Sequence, residues 1–388
     1  MNEGEPRPLT AAERRRSLAA AIASVAVFGI GIGFAAPLFS LLLEARGTET
    51  SLTGLNAACA YLGVIVGPLS TPLLVRRFGI RAFLLACLAL DVVLFLAMKL
   101  FDGIGAWFLL RFGLGLVGSS LFTATEAWIN MLASDAGRGR IIGLYAASLA
   151  AGFAAGPLLL ALTGTAGWTP FLVGAAMNAV AAVPLLAVGD LAGGLGRERG
   201  APALAFFVKA PFIMLAVALY GVFEATTFAL LPIWGVRVGL APAEAAATLT
   251  AIGLGSLALQ VPIGWLSDRL ARRTVLRLCG AAGLMGAVLL PFLAGSAPLL
   301  FLALVLWGGC AGGIYPVALG MAGARFRGAE LLGANAAVII AYGLGSLVGP
   351  ALGGAAMDVW NPQGLLAALA LLFAGFSVVA SVFATDAP

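Results

Sequence analysis

Long apolar runs alternate with short polar connections along almost the whole chain. Each run reaches about 20 residues, the length a helix rising 1.5 Å per residue needs to cross a roughly 30 Å hydrocarbon core. Hydrocarbon offers no water to backbone N–H and C=O groups, so a spanning segment must pair them internally, as an α-helix does. The runs are continuous and lack the alternation of a membrane β-barrel. The pattern predicts twelve spans, over 17–43, 52–75, 82–101, 104–133, 141–164, 168–188, 210–234, 243–266, 275–295, 298–324, 332–357 and 364–384. Residues 1–16 read as a cytoplasmic tail, because the apolar run after them is too long for the core of a secretory signal.

Composition supports lipid as the solvent. The 388 residues are 62% hydrophobic and 10% charged, with mean hydropathy +1.06; a soluble domain is about 45–50% apolar and about 25% charged. The net charge of +5 does not imply nucleic acid, since the basic residues form no face and lie in short clusters between runs. With the N-terminus inside, eighteen of the 22 basic residues, among them Arg14, Arg76, Arg77, Arg272 and Arg325, fall on the cytoplasmic side. Only Arg46, Lys99 and Arg237 fall opposite, and Arg111 alone lies within a span. One miscounted span would reverse every later loop, so this asymmetry supports the topology, with both termini cytoplasmic. The four cysteines, Cys59, Cys87, Cys279 and Cys310, sit inside apolar runs without metal-ligand spacing, and the chain has no histidine. Neither a metal nor a cofactor is expected.

The chain repeats weakly at an offset near 192. PLLVRRFGIR at 72–81 aligns with GWLSDRLARR at 264–273, and GFAAGP at 152–157 with GSLVGP at 345–350. Two halves in the same orientation imply a parallel pseudo-twofold along the membrane normal. The expected domains are six-helix bundles at 17–188 and 210–388, tethered by a Gly-rich linker at 189–209.

Gly264, Leu266, Ser267, Asp268, Arg269, Arg272 and Arg273 resemble the loop signature of the major facilitator superfamily. Arg111 with Gly115 is similar to its span-4 arginine motif, and Gly345, Gly349, Pro350, Gly353 and Gly354 to its Gly-Pro motif. Arg111, Phe112, Glu126, Ala127 and Trp128 resemble a bacterial subgroup of that family. Arg76 stands where the first-half loop usually carries an acid, and the fuller Gly-Pro motif lies in span 11 rather than span 5. The resemblance implies an all-α transporter of the bacterial inner membrane with a cavity lined by spans 1, 4, 7 and 10. It also implies gating by Asp268 against basic loop residues such as Arg269, Arg325 and Arg327. Gly264 belongs to the same loop signature, and Gly156–Pro157 and Gly349–Pro350 are expected to act as hinges in alternating access.

An ionised side chain at mid-membrane costs about 2.5–3.5 kcal/mol, so it persists where it pairs, faces water or works. Asp91, Arg111, Glu126 and Glu224 are such residues. Asp91 and Arg111 lie on an antiparallel hairpin, about 15 and about 10 Å from its outer end, and are expected to pair. Glu126 lies about 60° around the helix from Arg111 and about 22 Å deeper. Glu224 falls near the level of Arg111. With these as proton-coupling or substrate groups, Tyr61, Trp128, Asn130, Tyr220, Trp307 and Tyr315 are expected to line a cavity for a lipophilic or aromatic solute. Trp234, Asn56, Gln260 and Asn335 are further candidates.

The chain has no Walker A match and no nucleophile–base constellation, which lowers an ATP-driven pump and a membrane enzyme. The two-half repeat argues for rocking rather than a channel. The expectation is a monomeric secondary transporter in membrane lipid, exporting a small solute against protons. Proton-coupled uptake of a sugar or organic acid is the alternative, and a non-transporting membrane receptor a further one.

Overall fold

The computed structural model describes residues 10–132, 138–188 and 202–382. Its helices are α1 (Ala11–Ala45), α2 (Thr50–Phe78), α3 (Ile80–Leu100), α4 (Ile104–Leu132), α5 (Arg138–Thr163), α6 (Thr169–Leu186) and α7 (Ala205–Lys209). They continue as α8 (Pro211–Arg237), α9 (Pro242–Arg269), α10 (Arg272–Leu293), α11 (Ala297–Gly312), α12 (Ile314–Arg325), α13 (Gly328–Val359) and α14 (Gly364–Val382). No strand occurs among the described residues. Twelve stretches are long and apolar enough to cross a membrane, α11 and α12 together forming one. Large apolar side chains such as Leu69 (75% exposed), Leu162 (79%) and Phe292 (80%) point outward, a surface that lipid tolerates and water does not.

Two expectations need adjustment. The N-terminal helix begins at Ala11, so the end of the expected tail is already helical. The tenth span is not one helix: α11 stops at Gly312 and α12 starts at Ile314. Pro316 explains the break, because its ring nitrogen cannot donate to the Gly312 carbonyl and its ring crowds that group. The expected linker at 189–209 lies outside the described residues as far as 201, and its remainder carries α7.

Two compact units are present. One is built from residues within 1–35, 62–156 and 166–197, the other from residues within 36–61, 157–165 and 198–388. The first has a core of Val25, Phe28, Leu84, Leu121, Trp128 and Leu185. The second centres on Phe206, Phe223, Trp234, Leu304, Trp307 and Phe373.

Each unit is drawn together by glycines at matching spans. In the first, α1 meets α5 where Gly29 and Gly33 face Gly152 and Phe153, and α2 meets α4 where Gly63 and Gly67 face Phe112 and Leu116. In the second, α8 meets α13 where Gly221 and Gly345 face Tyr342 and Ala218, and α9 meets α11 where Gly255 faces Val305. Small residues permit this approach of backbones, which drives helix association where lipid removes the hydrophobic incentive. The partnership of spans 1 with 5 and 2 with 4 thus recurs as 7 with 11 and 8 with 10. The turn between α2 and α3 is a single residue, Gly79, at φ 80, a conformation open to glycine at little cost.

Candidate functional site

A carboxylate bonded by tyrosines lies on α8 of the second unit. This helix packs against α9, α11, α12, α13 and α14, and most of its residues are buried. Tyr220, Glu224 and Phe228, spaced i, i+4, i+8 and so on one face, remain half-buried. The Tyr220 hydroxyl donates to Glu224 Oε1 at 2.8 Å, and the Tyr342 hydroxyl of α13 donates to Oε2. Tyr315, at the start of α12, sits with its ring centroid 5.3 Å from that of Tyr220 and 6.1 Å from that of Tyr342. The Tyr220 and Tyr342 centroids are 6.2 Å apart. Tyr61 of α2 lies within electrostatic range of both hydroxyls. The Gly313 break brings in Tyr315, and the contact of Gly221 with the Tyr342 carbonyl brings in Tyr342.

A related pair exists in the first unit. Glu126 of α4 is exposed, and its Oε1 accepts the Tyr145 hydroxyl of α5 at 3.2 Å. The chain has five tyrosines; three bond a carboxylate and the other two lie beside Glu224's partners.

The expected Asp91–Arg111 pair does not form. Asp91, 5% exposed, instead accepts a hydrogen bond from Asn178 Nδ2 of α6, itself 2% exposed. Helix rotation is the reason. Phe95, one turn beyond Asp91, packs on Gly174 and Phe171 of α6, so this face of α3 is turned to α6. On α4, Gly113 meets Leu94 of α3, and Arg111, two residues earlier, lies about 200° around. Arg111 shares its face to within about 20° with Gly118, which looks toward Phe28 of α1. Asn178 is accommodated because Gly31 of α1 has no side chain; a Cβ there would stand 2.6 Å from Asn178 Oδ1. Asn178→Leu is expected to lower stability by about 3 kcal/mol, because it leaves a buried carboxylate without its donor. Chemical denaturation of the purified protein measures this, and an unchanged midpoint would remove the pair from the stability of α3 and α6.

Other candidates fall elsewhere. Trp128 and Trp307 are enclosed in the cores rather than at an open surface, at 0% and 2% exposure. Their large rings fill space between helices, and Trp307 Nε1 donates to the Gly283 carbonyl at 2.8 Å. Trp234 Nε1 donates to Gln363 Oε1 at 3.2 Å, Asn56 is buried, and Gln260 is exposed. The side chain of Asn130 lies outside the described residues. Asp268 is exposed at the end of α9 and pairs with no basic group among the described residues. Arg269 stacks on Trp265, its Cζ 3.8 Å from the ring centroid, and Arg325 and Arg327 are exposed. Gly156 and Gly349 lie at the α1–α5 and α8–α13 contacts, each followed by its proline.

A second polar cluster was not anticipated. Within the second unit Arg237, at the end of α8, makes two bonds of 2.8 Å to Glu44 at the end of α1 and one of 3.0 Å to Asn361. The Asp358 carboxylate of α13 accepts the Thr50 and Ser51 backbone N–H groups at 3.0 and 2.8 Å, capping α2 where its first amides are unsatisfied and its dipole is positive. Arg237 entered the sequence reading only as a loop charge, and Tyr342, Tyr145 and Asn178 not at all. Of the tyrosine contacts, only the i, i+4 spacing of Tyr220 and Glu224 was visible in the sequence.

Twelve apolar spans packed through glycine, one of them carrying the tyrosine-bonded Glu224 in its middle, define a polytopic membrane protein. The chain belongs to the Major Facilitator Superfamily, whose profile matches residues 21–246 and 213–388. It is 25% identical over 357 residues to the uncharacterised MFS-type transporter YfkF of Bacillus subtilis, covering 88% of each chain. Among solved structures it resembles the nucleoside transporter NupG, at TM-score 0.76 and 13% identity over 95% of this chain and 97% of that one. It also resembles a D-xylose-proton symporter, at TM-score 0.74 and 15% identity over 95% and 96%. These likenesses establish the all-α major facilitator fold.

Proposed function

We propose that this protein is a secondary active transporter of the bacterial inner membrane that exports a lipophilic or aromatic solute in exchange for protons. The observation that carries the reading is Glu224, a carboxylate in the middle of a span on a half-buried stripe of α8, bonded by two tyrosine hydroxyls. An acid so placed has no packing value, and a proton-exchanging role gives it one. Glu126, bonded by Tyr145, is a second proton station, and Arg111 a charged group at a different depth of the same span. The two six-helix halves, 17–188 and 210–388, work as the rocking bodies of one monomer, with both termini cytoplasmic.

The arginine-poor end supplies a gate. Glu44–Arg237 and the Asp358 cap join segments of α1 and α2 to α8 and α13, and alternating access requires such contacts to form and part. At the opposite end Asp268 would take the same task by pairing with Arg325 or Arg327 when that side closes.

Reconstitution tests the reading. In proteoliposomes with an imposed inward proton gradient, a transported solute is expected to be expelled, with alkalinisation on the side that protons leave. Accumulation instead would make the protein a symporter and favour uptake of a sugar or organic acid. The absence of any solute-dependent proton flux across a broad panel would end proton coupling.

A further inference from the structure

We infer that the tyrosine-ringed carboxylate at Glu224 binds an organic cation with an apolar body, such as an aromatic or quaternary amine. The inference rests on the reading of Glu224 as the transport carboxylate and narrows its substrate class.

Three features of the site lead there. The first is charge. Among the described residues no lysine or arginine bonds Glu224; its polar partners are the hydroxyls of Tyr220 and Tyr342. Several basic side chains of this unit are engaged elsewhere, Arg237 with Glu44, Lys209 with Glu330 and Arg272 with the Gly320 carbonyl. Among the described residues the negative charge therefore has no basic side chain bonded to it, and a cationic guest or a proton can supply the counter-charge. The two occupants compete for one group, which is the arithmetic of exchange.

The second is the ring geometry. The Tyr220, Tyr315 and Tyr342 centroids form a triangle with sides of 5.3, 6.1 and 6.2 Å. A cation is attracted to an aromatic face within about 6 Å of its centroid, and the attraction grows once water is excluded. Phe228, one turn beyond Glu224 on the same stripe, adds apolar surface for the body of the guest.

The third is the direction of the hydrogen bonds. The Tyr220 and Tyr342 protons are committed to Glu224, so neither hydroxyl is free to donate to a sugar or an anionic ligand. Each carboxylate oxygen accepts one of them and keeps a further lone pair for an ammonium N–H or for contact with a quaternary centre. A neutral polyol would meet acceptors without matching donors. An anion would meet a like charge.

Three aryl probes separate these cases, tetraphenylphosphonium (cation) and tetraphenylborate (anion) of one shape and the smaller triphenylphosphine oxide (neutral), measured by equilibrium dialysis with the purified protein. Saturable binding is expected for the cation, with the neutral probe about tenfold or more weaker and no saturable binding of the anion. Glu224→Gln is expected to weaken the cation by about tenfold or more. Tyr315→Leu should weaken it about three- to tenfold, while Tyr315→Phe keeps affinity within about twofold because the ring face remains. If Glu224→Gln fails to give a monodisperse protein, the probe comparison in the unaltered protein and the Tyr315 pair still decide.

Equal affinity for neutral and cationic probes, no saturable cation binding, or an unaffected Glu224→Gln each overturns the inference. A neutral probe that binds equally and is expelled by a proton gradient removes the cation preference but leaves the transport reading standing. A cation that binds at Glu224 yet never moves with a gradient leaves the site and removes the transport reading.

Discussion

Glu224→Gln is expected to reduce gradient-driven solute movement by about a hundredfold or more, the scale of losing a positioned proton carrier. Glutamine preserves volume and one acceptor oxygen, so the bond from Tyr220 can persist. The amide nitrogen cannot accept the bond that Tyr342 donates, and the side chain neither gains nor loses a proton. Steps that carry protons therefore fail, whereas solute-for-solute exchange, which needs no net proton movement, is retained wherever the solute still binds. Flux in proteoliposomes with and without a proton gradient separates the two. Undiminished concentrative transport by the variant would take Glu224 out of the coupling mechanism, whatever else it binds.

The second large effect is expected from a wedge at the arginine-poor end. A Cβ on Gly54 of α2 would stand 2.0 Å from the Pro350 carbonyl of α13, and one on Gly354 would stand 2.3 Å from the Thr50 carbonyl. Gly54→Val therefore holds α2 off α13 and opposes the capping of Thr50 and Ser51 by Asp358. The contact joins segments from the two sequence halves, which the proposed alternating access would bring together and part. Transport is expected to fall by about tenfold or more, on the scale of an interior overpacking cost of about 1–3 kcal/mol, while the protein still purifies folded and monodisperse. Gly345→Val is the control. Its Cβ would stand equally close, 2.0 Å, to the Ala218 carbonyl, but at the α8–α13 contact inside one half, which no gating motion relieves. That variant should lose thermal stability and yield rather than transport alone. Wild-type flux from Gly54→Val would mean that the α2–α13 contact is no gate. Equal instability of both variants would mean that it is part of the permanent core.

The residues that misled the sequence reading show where its reach ends. Asp91 was assigned to Arg111 because they lie on adjoining spans at reachable depths, but depth does not specify rotation. The α3 face that carries Asp91 turns to α6 because Phe95 needs the space above Gly174, and Asn178 waits there. Tyr342 and Glu224 are 118 residues apart, with no local signal to join them. Trp128 and Trp307 looked like cavity aromatics and proved to be core, since a large ring fills space well on either side of a helix. Glu224 was legible as unusual for its place within a span, but of its partners only Tyr220, one turn away, was in view.

Hydropathy and charge are properties of consecutive residues, so the chain alone was enough to set out twelve helical spans, their alternating polar ends and the two-half repeat. Lipid reads those properties one segment at a time, and each span must satisfy its own backbone before it meets another. Which side chains then touch depends on how each helix is rotated and how closely its backbone approaches a neighbour. Those quantities are set by glycine contacts between distant segments, as at Gly221 with Tyr342 and Gly31 with Asn178. The tyrosine ring around Glu224, the Asp91–Asn178 bond and the Glu44–Arg237 clasp were therefore decided only when the helices packed.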